Sequence, residues 1–245
     1  MNSEVFATAI RNYHEKHDFG ALSPKAVLFD MDGVLYDSMP NHAIAWQEAM
    51  AQFGLTMTAQ DAYMTEGQRG TDTIRQLARR QRGIDISEAE AQRMYDEKSR
   101  RFHALPAPPL MPGIIGVMEQ ITASGWQVGV VTGSGQRPLL ERVLRDFGAF
   151  VTPAHMVTAY NISRGKPAPD PYLAGLRMMG NLQPQEAIVV ENAPLGVRAG
   201  VAAQIFTVAV NTGPLPDQLL AEAGANLIFK SMEELNNHWK KIWMT

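Results

Sequence analysis

AVLFDMDGVLYDS, residues 26–38, decides the fold. An apolar run of strand character breaks into Asp30-Met31-Asp32-Gly33, so two acids stand at the end of what reads as a buried strand. Strand side chains alternate faces, which points Asp30 and Asp32 in one direction and gathers two like charges at one spot. That costs free energy unless something uses them.

Upstream, residues 1–23 predict a short helical extension packed on the main body. Ser3 is a candidate N-cap, Val5, Phe6, Ala9, Ile10 and Tyr13 recur at helical spacing, and the segment carries no functional reading. Downstream the texture changes. From 39 to 105 Ala, Gln, Glu and Arg dominate, and HAIAWQEAMAQFG, DTIRQLARRQRG and SEAEAQRMYDEKSRRF have the periodicity of three or four helices. The prolines of PAPPLMPG, 106–113, end this unit as a hinge or linker.

Beyond the prolines, strands alternate with helices. WQVGVVT (126–132), HMVTA, AIVVE (187–191), IFTVAV (205–210) and ANLIF (225–229) are interleaved with QRPLLERVLRDFG, DPYLAGLRMMG, PLGVRAGVAA and a terminal MEELNNHWKKIW. Short apolar strands separated by helices imply a parallel sheet covered on both faces. The expected fold is therefore α/β, a doubly wound, Rossmann-like parallel sheet built from 24–38 and 106–245, whose first strand is Lys25 to Asp30, with an all-helical cap inserted at 39–105. Trp239 and Trp243, four apart on the last helix, are expected to pack in the core.

Composition narrows the function. With 245 residues and 45% apolar content the chain can bury a sizeable core, and 22 Lys+Arg against 25 Asp+Glu provide no basic field for nucleic acid. Cysteine is absent, which excludes disulfides, thiol nucleophiles and Cys-ligated zinc. The N-terminus lacks the basic start and apolar run of a signal peptide, and no apolar stretch approaches a membrane span. A soluble, cytoplasmic monomer with no nucleic-acid or membrane partner is expected.

Ligands of doubly wound sheets bind beyond the carboxyl ends of the strands. Three further polar groups reach that edge: Thr132 after QVGVVT, Lys166 in RGKPAPDPY, and Glu191-Asn192 after AIVV. A carboxylate can attack phosphorus and form an acyl phosphate if a divalent cation and a lysine offset the repulsion between two anions. Asp30 is the candidate nucleophile and Asp32 the candidate acid and base. Asp30, the Asp32 carbonyl, Glu191 and Asn192 offer hard oxygens to Mg²⁺. Thr132, with the N–H groups of Gly133 and Ser134 at a helix start, is placed to hold phosphoryl oxygens.

These residues resemble the haloacid dehalogenase superfamily of phosphotransferases. DMDGV, VVTGS, Lys166 in GKPAP and VVENAPLGVRAG match its four motifs in order, over about residues 24–235. The resemblance implies that the helical insert is a cap. Within the superfamily the chain is similar to beta-phosphoglucomutase and to small sugar-phosphate phosphatases. It implies that His42, twelve residues after Asp30 in GVLYDSMPNHAIAW, links cap closure to catalysis, and that Lys98 stands near a cap lysine.

Two positions depart from that pattern. Asn192 stands where a second acid is usual, which removes a negative charge from a Mg²⁺ site; Glu66, in MTEGQRG, is the candidate to compensate. Gly70 stands where the mutase has an arginine for the phosphate that is not transferred, with Arg69 beside it. The expectation is a Mg²⁺-dependent phosphohydrolase of a small phosphate compound, a sugar phosphate or pyrophosphate. The alternatives are a mutase interconverting beta-glucose 1-phosphate and glucose 6-phosphate, and an inactive phosphate-binding protein. Plainer readings compete at four positions: a structural His42 at a helix start, Lys98 on a charged helix face, and Glu66 and Arg69 as solvated loop charges.

Overall fold

The computed structural model describes residues 3–243. Among them, six strands form one parallel sheet in the order β3-β2-β1-β4-β5-β6. These are β1 (Ala26–Phe29), β2 (Gln127–Val131), β3 (Met156–Val157), β4 (Ala187–Glu191), β5 (Phe206–Val210) and β6 (Leu227–Phe229). β1 is central: Ala26 pairs with Gln127 on one side and with Ala187 on the other.

Helices α1 (Ser3–Lys16), α6 (Ile114–Ala123), α7 (Arg137–Phe147) and α11 (Met232–Trp243) cover one face, and α8 (Asp170–Met178) and α9 (Pro194–Ala202) the other. Val27 and Phe29 pack with Phe6, Tyr13, Val117, Phe147 and Trp239, whereas Ala26 and Leu28 pack with Tyr172, Leu176 and Ala199. Burying a large apolar side chain contributes about 1.5–3 kcal/mol, against about 1 kcal/mol net for a hydrogen bond. A four-residue strand buried on both faces is thus fixed mainly by its side chains.

The N-terminal helix joins this core as expected. Phe6, Ala9 and Tyr13 are buried, and the Tyr13 hydroxyl donates to the Gln204 carbonyl at 2.8 Å. Val5, assigned to the same face, is instead exposed. Ser3 is the first residue of α1 rather than its cap, and its side chain lies outside the described residues. Trp239 is fully buried, with the Trp243 ring 5.9 Å away.

Between β1 and β2 stand α2 (Met39–Gln52), α3 (Ala59–Met64), α4 (Gly70–Arg82) and α5 (Glu88–Ala104). They bury a cluster of their own around Trp46, Met50, Ile74, Leu77 and Met94. A reciprocal capping box between Thr58 and Asp61 starts α3, and Ser87 caps α5 by accepting from the Glu90 N–H. Two linkers tie this helical unit to the sheet. The Asp37 N–H donates to the Pro109 carbonyl (3.0 Å) and the Met111 N–H to the Leu35 carbonyl (2.8 Å). No described helix is long and apolar enough to cross a membrane.

Candidate active site

Beyond the carboxyl ends of β1 and β2, one cavity is lined by Asp30, Asp32, Thr132, Gly133 and Ser134 from the sheet side and by His42, Glu66, Gly70, Tyr95 and Lys98 from the helical unit. The two acids reach it by a route other than strand alternation. β1 ends at Phe29; Asp30 still donates its N–H to the Val190 carbonyl (3.0 Å), and the chain then turns at Gly33, whose φ of 78° suits a residue without a side chain. Asp32 therefore sits in a turn, where a backbone bridge to Tyr36 holds it.

Lys166 is fully buried under Asp30. Its Nζ lies 2.5 Å from Asp30 Oδ1, 2.6 Å from Glu191 Oε1 and 3.3 Å from the Val131 carbonyl. Burial disfavours its charged form, but the two carboxylates outweigh it and hold the ammonium charged. Burial likewise pushes Asp30 up, with Lys166 pulling against it. Glu191, expected among the metal ligands, is already committed: Oε1 accepts from Lys166 and from the Tyr172 hydroxyl (2.6 Å), and Oε2 from the Asn192 N–H (3.0 Å). Its carboxylate positions the lysine.

A second buried chain of groups links Asp32 to the helical unit. Lys98 Nζ lies 2.6 Å from His42 Nδ1, and His42 Nε2 lies 3.0 Å from Asp32 Oδ1. An ammonium only donates, so Nδ1 accepts and the imidazole proton sits on Nε2, facing the carboxylate. The Ser38 hydroxyl donates to the same oxygen at 2.6 Å. Burial opposes ionisation of Asp32, but His42, Ser38 and Lys98 together hold its carboxyl at about 2. Lys98 itself is caged by Trp46, Tyr95 and Phe102, with ring centroids 5.2–5.8 Å from Nζ. Lys98 is buried rather than part of a solvated charged face, and His42, in the first turn of α2, lines the cavity while stacking on Phe102 with ring centroids 4.1 Å apart.

Three buried oxygens in this region have no hydrogen-bond partner: Asp30 Oδ2, Glu66 Oε2 and Asn192 Oδ1. Burial, followed by the nearby Asp30, Glu191 and Asp32, drives the Glu66 carboxyl well above its ordinary range. Four acids, Asp30, Asp32, Glu66 and Glu191, meet here with two lysines, Lys98 and Lys166, and a bound cation would favour the ionised form of Asp30 and Glu66 that burial opposes. The orphaned oxygens fit a hard divalent cation. Among the described residues no group of three or more His, Cys, Asp or Glu side chains could hold a metal alone. A cation here needs the Asn192 amide oxygen and main-chain carbonyls as well.

Two expectations require correction. Gly133 and Ser134 do not start a helix: α7 begins at Arg137, and the Ser134 N–H is taken by Thr132 Oγ1 at 3.0 Å. Arg69 turns out of the site. Its side chain is 41% exposed, runs past Gly165 and ends 3.8 Å from Glu88, so Gly70 lines the cavity and Arg69 does not. A Cβ at Gly70 would stand 2.1 Å from the Tyr95 ring.

Residue-by-residue reading missed Ser38, Tyr95, Gln136 and Tyr172. Ser38 opens α2 yet makes no capping bond, since its hydroxyl serves Asp32. Tyr95 had a signal: with Lys98 and Phe102 it shares one face of α5 at helical spacing. Gln136 donates to the Tyr95 hydroxyl at 3.3 Å, tying the loop after β2 to the helical unit.

Comparison with known proteins agrees with this geometry. The chain is 33% identical over 211 residues to hexitol phosphatase A of Escherichia coli, covering 86% of this chain and 93% of that one. With beta-phosphoglucomutase of Bacillus subtilis it shares 27% over 238 residues, 89% of this chain and 96% of the other. A solved structure from Bacteroides vulgatus, provisionally described as a beta-phosphoglucomutase, superposes with a TM-score of 0.95 at 46% identity, covering 99% and 98% of the two chains. Residues 24–204 match the family of haloacid dehalogenase-like hydrolases, and it is to this family that the chain belongs.

Proposed function

We propose that the protein is a Mg²⁺-dependent phosphohydrolase of small phosphate compounds that works through an aspartyl phosphate on Asp30. The Asp30 carboxylate attacks phosphorus while the bond to the leaving oxygen breaks, and Asp32 protonates that oxygen. Asp32 then takes a proton from the water that attacks the aspartyl phosphate, which releases inorganic phosphate and restores both acids. Held ionised, Asp32 suits the second half-reaction; for the first it must gain a proton, which a phosphate dianion alongside favours. Lys166 offsets the charge on Asp30 and the substrate. Thr132 Oγ1 accepts from Ser134, so its own hydrogen is free for a phosphoryl oxygen. Asp30, the Asp32 carbonyl, Asn192 and Glu66 are the residues to hold Mg²⁺, which when bound lowers the charge on the phosphoryl oxygens.

The observation that carries hydrolysis over transfer is the filled space at Gly70. Phosphoryl transfer between two positions of a sugar needs a grip on a second phosphate. The helical unit lends the cavity one cation among the described residues, Lys98, and it is engaged with His42. The polar lining suits a small polyol or sugar phosphate, in line with the relatives' names, or pyrophosphate.

Phosphate release with Mg²⁺ across pyrophosphate, hexitol and hexose phosphates and phosphoglycolate, with Asp30→Asn as blank, tests this. Release from one substrate class, lost in the variant, is expected. Conversion of beta-glucose 1-phosphate to glucose 6-phosphate without release would establish the mutase instead.

A further inference from the structure

Arg142 lies on α7, which begins one residue beyond the Thr132–Gln136 loop, but it faces away from the cavity, toward the two linkers that join the helical unit to the sheet. Its side chain is 18% exposed. The guanidinium makes three contacts. Nε lies 3.0 Å from Asp146 Oδ2, Nη2 donates to the Pro108 carbonyl at 2.5 Å, and Cζ stands 4.4 Å from the centroid of the Tyr36 ring. The Tyr36 hydroxyl donates to that same Asp146 oxygen at 3.1 Å.

Pro108 belongs to the return linker and Tyr36 to the outgoing one. The Tyr36 backbone bridges Leu110 on one side and Asp32 on the other, and its carbonyl accepts from the Gly33 N–H at 2.8 Å. Both linkers and the turn that carries Asp32 thus converge on one guanidinium. A planar group can stack on a ring with its face while donating in its plane to two acceptors; an ammonium at the same place cannot do both. Nothing in the chemistry at Asp30 uses Arg142.

We propose that Arg142 is a positioning residue: it brackets the hinge of the helical unit onto the helix that leaves the Thr132–Gln136 loop, and through Tyr36 it sets the turn bearing Asp32. The kinetic consequence rests on the phosphohydrolase reading; the structural one does not.

Two measurements on wild type, Arg142→Ala and Arg142→Lys test it. The first is hydrogen exchange in peptides containing the Asp37 and Met111 amides, whose bonds join the linkers. Exchange should be faster by about tenfold in Arg142→Ala and intermediate in Arg142→Lys. The second is hydrolysis of p-nitrophenyl phosphate with Mg²⁺. KM should rise and kcat should fall, each by about fivefold, because the helical unit and the turn that carries Asp32 are then both held less firmly. Unchanged exchange in both variants overturns the bracket, whatever the substrate. Faster exchange with wild-type KM and kcat overturns its role in the reaction. Should Arg142→Ala fail to fold, Arg142→Lys carries both measurements. Should wild type not hydrolyse this ester, the compound of the panel above that it does hydrolyse replaces it; should it hydrolyse none, the phosphohydrolase reading fails, and exchange alone still decides the bracket.

Discussion

The ring of Tyr95 fills the space that any side chain at Gly70 would need, 2.1 Å from where a Cβ would stand. A Gly70→Ala variant must push the ring toward the cavity or part α4 from α5. Overpacking of this kind costs about 1–3 kcal/mol, which outweighs the gain in helix propensity of about 1 kcal/mol. The urea midpoint should fall and phosphate release should drop with it. An unchanged midpoint with full activity would mean that Tyr95 moves freely.

Arg69 should be dispensable. With its guanidinium beside Glu88 and solvent, Arg69→Ala is expected to leave kcat/KM within about twofold. A tenfold loss, seen in steady-state kinetics, would require the loop to turn Arg69 inward when substrate binds.

Lys98 should have opposite effects on turnover and on stability. Burial lowers its ammonium to about 8 from an ordinary 10.5, against the pull of Asp32 and Glu66. Turnover should fall as pH rises through about 8, when His42 loses its charged donor. Stability moves the other way. Folding depresses the pKa, so the contribution is fully present above 10.5 and is lost as pH falls through about 8. At pH 7 Lys98→Met should therefore melt no lower than wild type while losing turnover by about tenfold or more. A variant that loses melting temperature as well would mark Lys98 as a packing residue.

Glu66→Gln keeps the size of the side chain and replaces an ionisable carboxyl beside Asp30 by an amide. If Glu66 supplements the uncharged Asn192, calorimetric titration should show Mg²⁺ binding weakened by about tenfold or more. Equal Mg²⁺ affinity and equal turnover in variant and wild type would assign Glu66 no part in the site.

Most of the architecture was legible because its causes are local. Six apolar runs became the six strands, and proline-bounded helical texture became the four-helix unit. Asp30, Asp32, Thr132 and Lys166 could be read because strand ends converge by topology. Sequence could not tell Arg69 from Lys98: both are cations in charged stretches, and only the rotation of a loop and the pitch of α5 decide which one is buried. Nor could it divide labour between Glu191 and Asn192. The position of Lys166 decides that, and 25 residues of chain separate it from Glu191. Ser38 carries no signal in the sequence, because only the fold brings its hydroxyl to Asp32.

The register of β1 has a consequence for biosynthesis. Its partners begin at Gln127 and Ala187, and Phe6 on α1 meets His238 on α11 at 5.9 Å between ring centroids. The helical unit is contiguous in the chain and can condense as soon as it leaves the ribosome. The central strand cannot. At about 5–20 residues per second it waits roughly 10–30 s for β4, with the N–H and C=O groups of one edge unpaired. That interval, rather than the finished protein, is where a chaperone has most to protect.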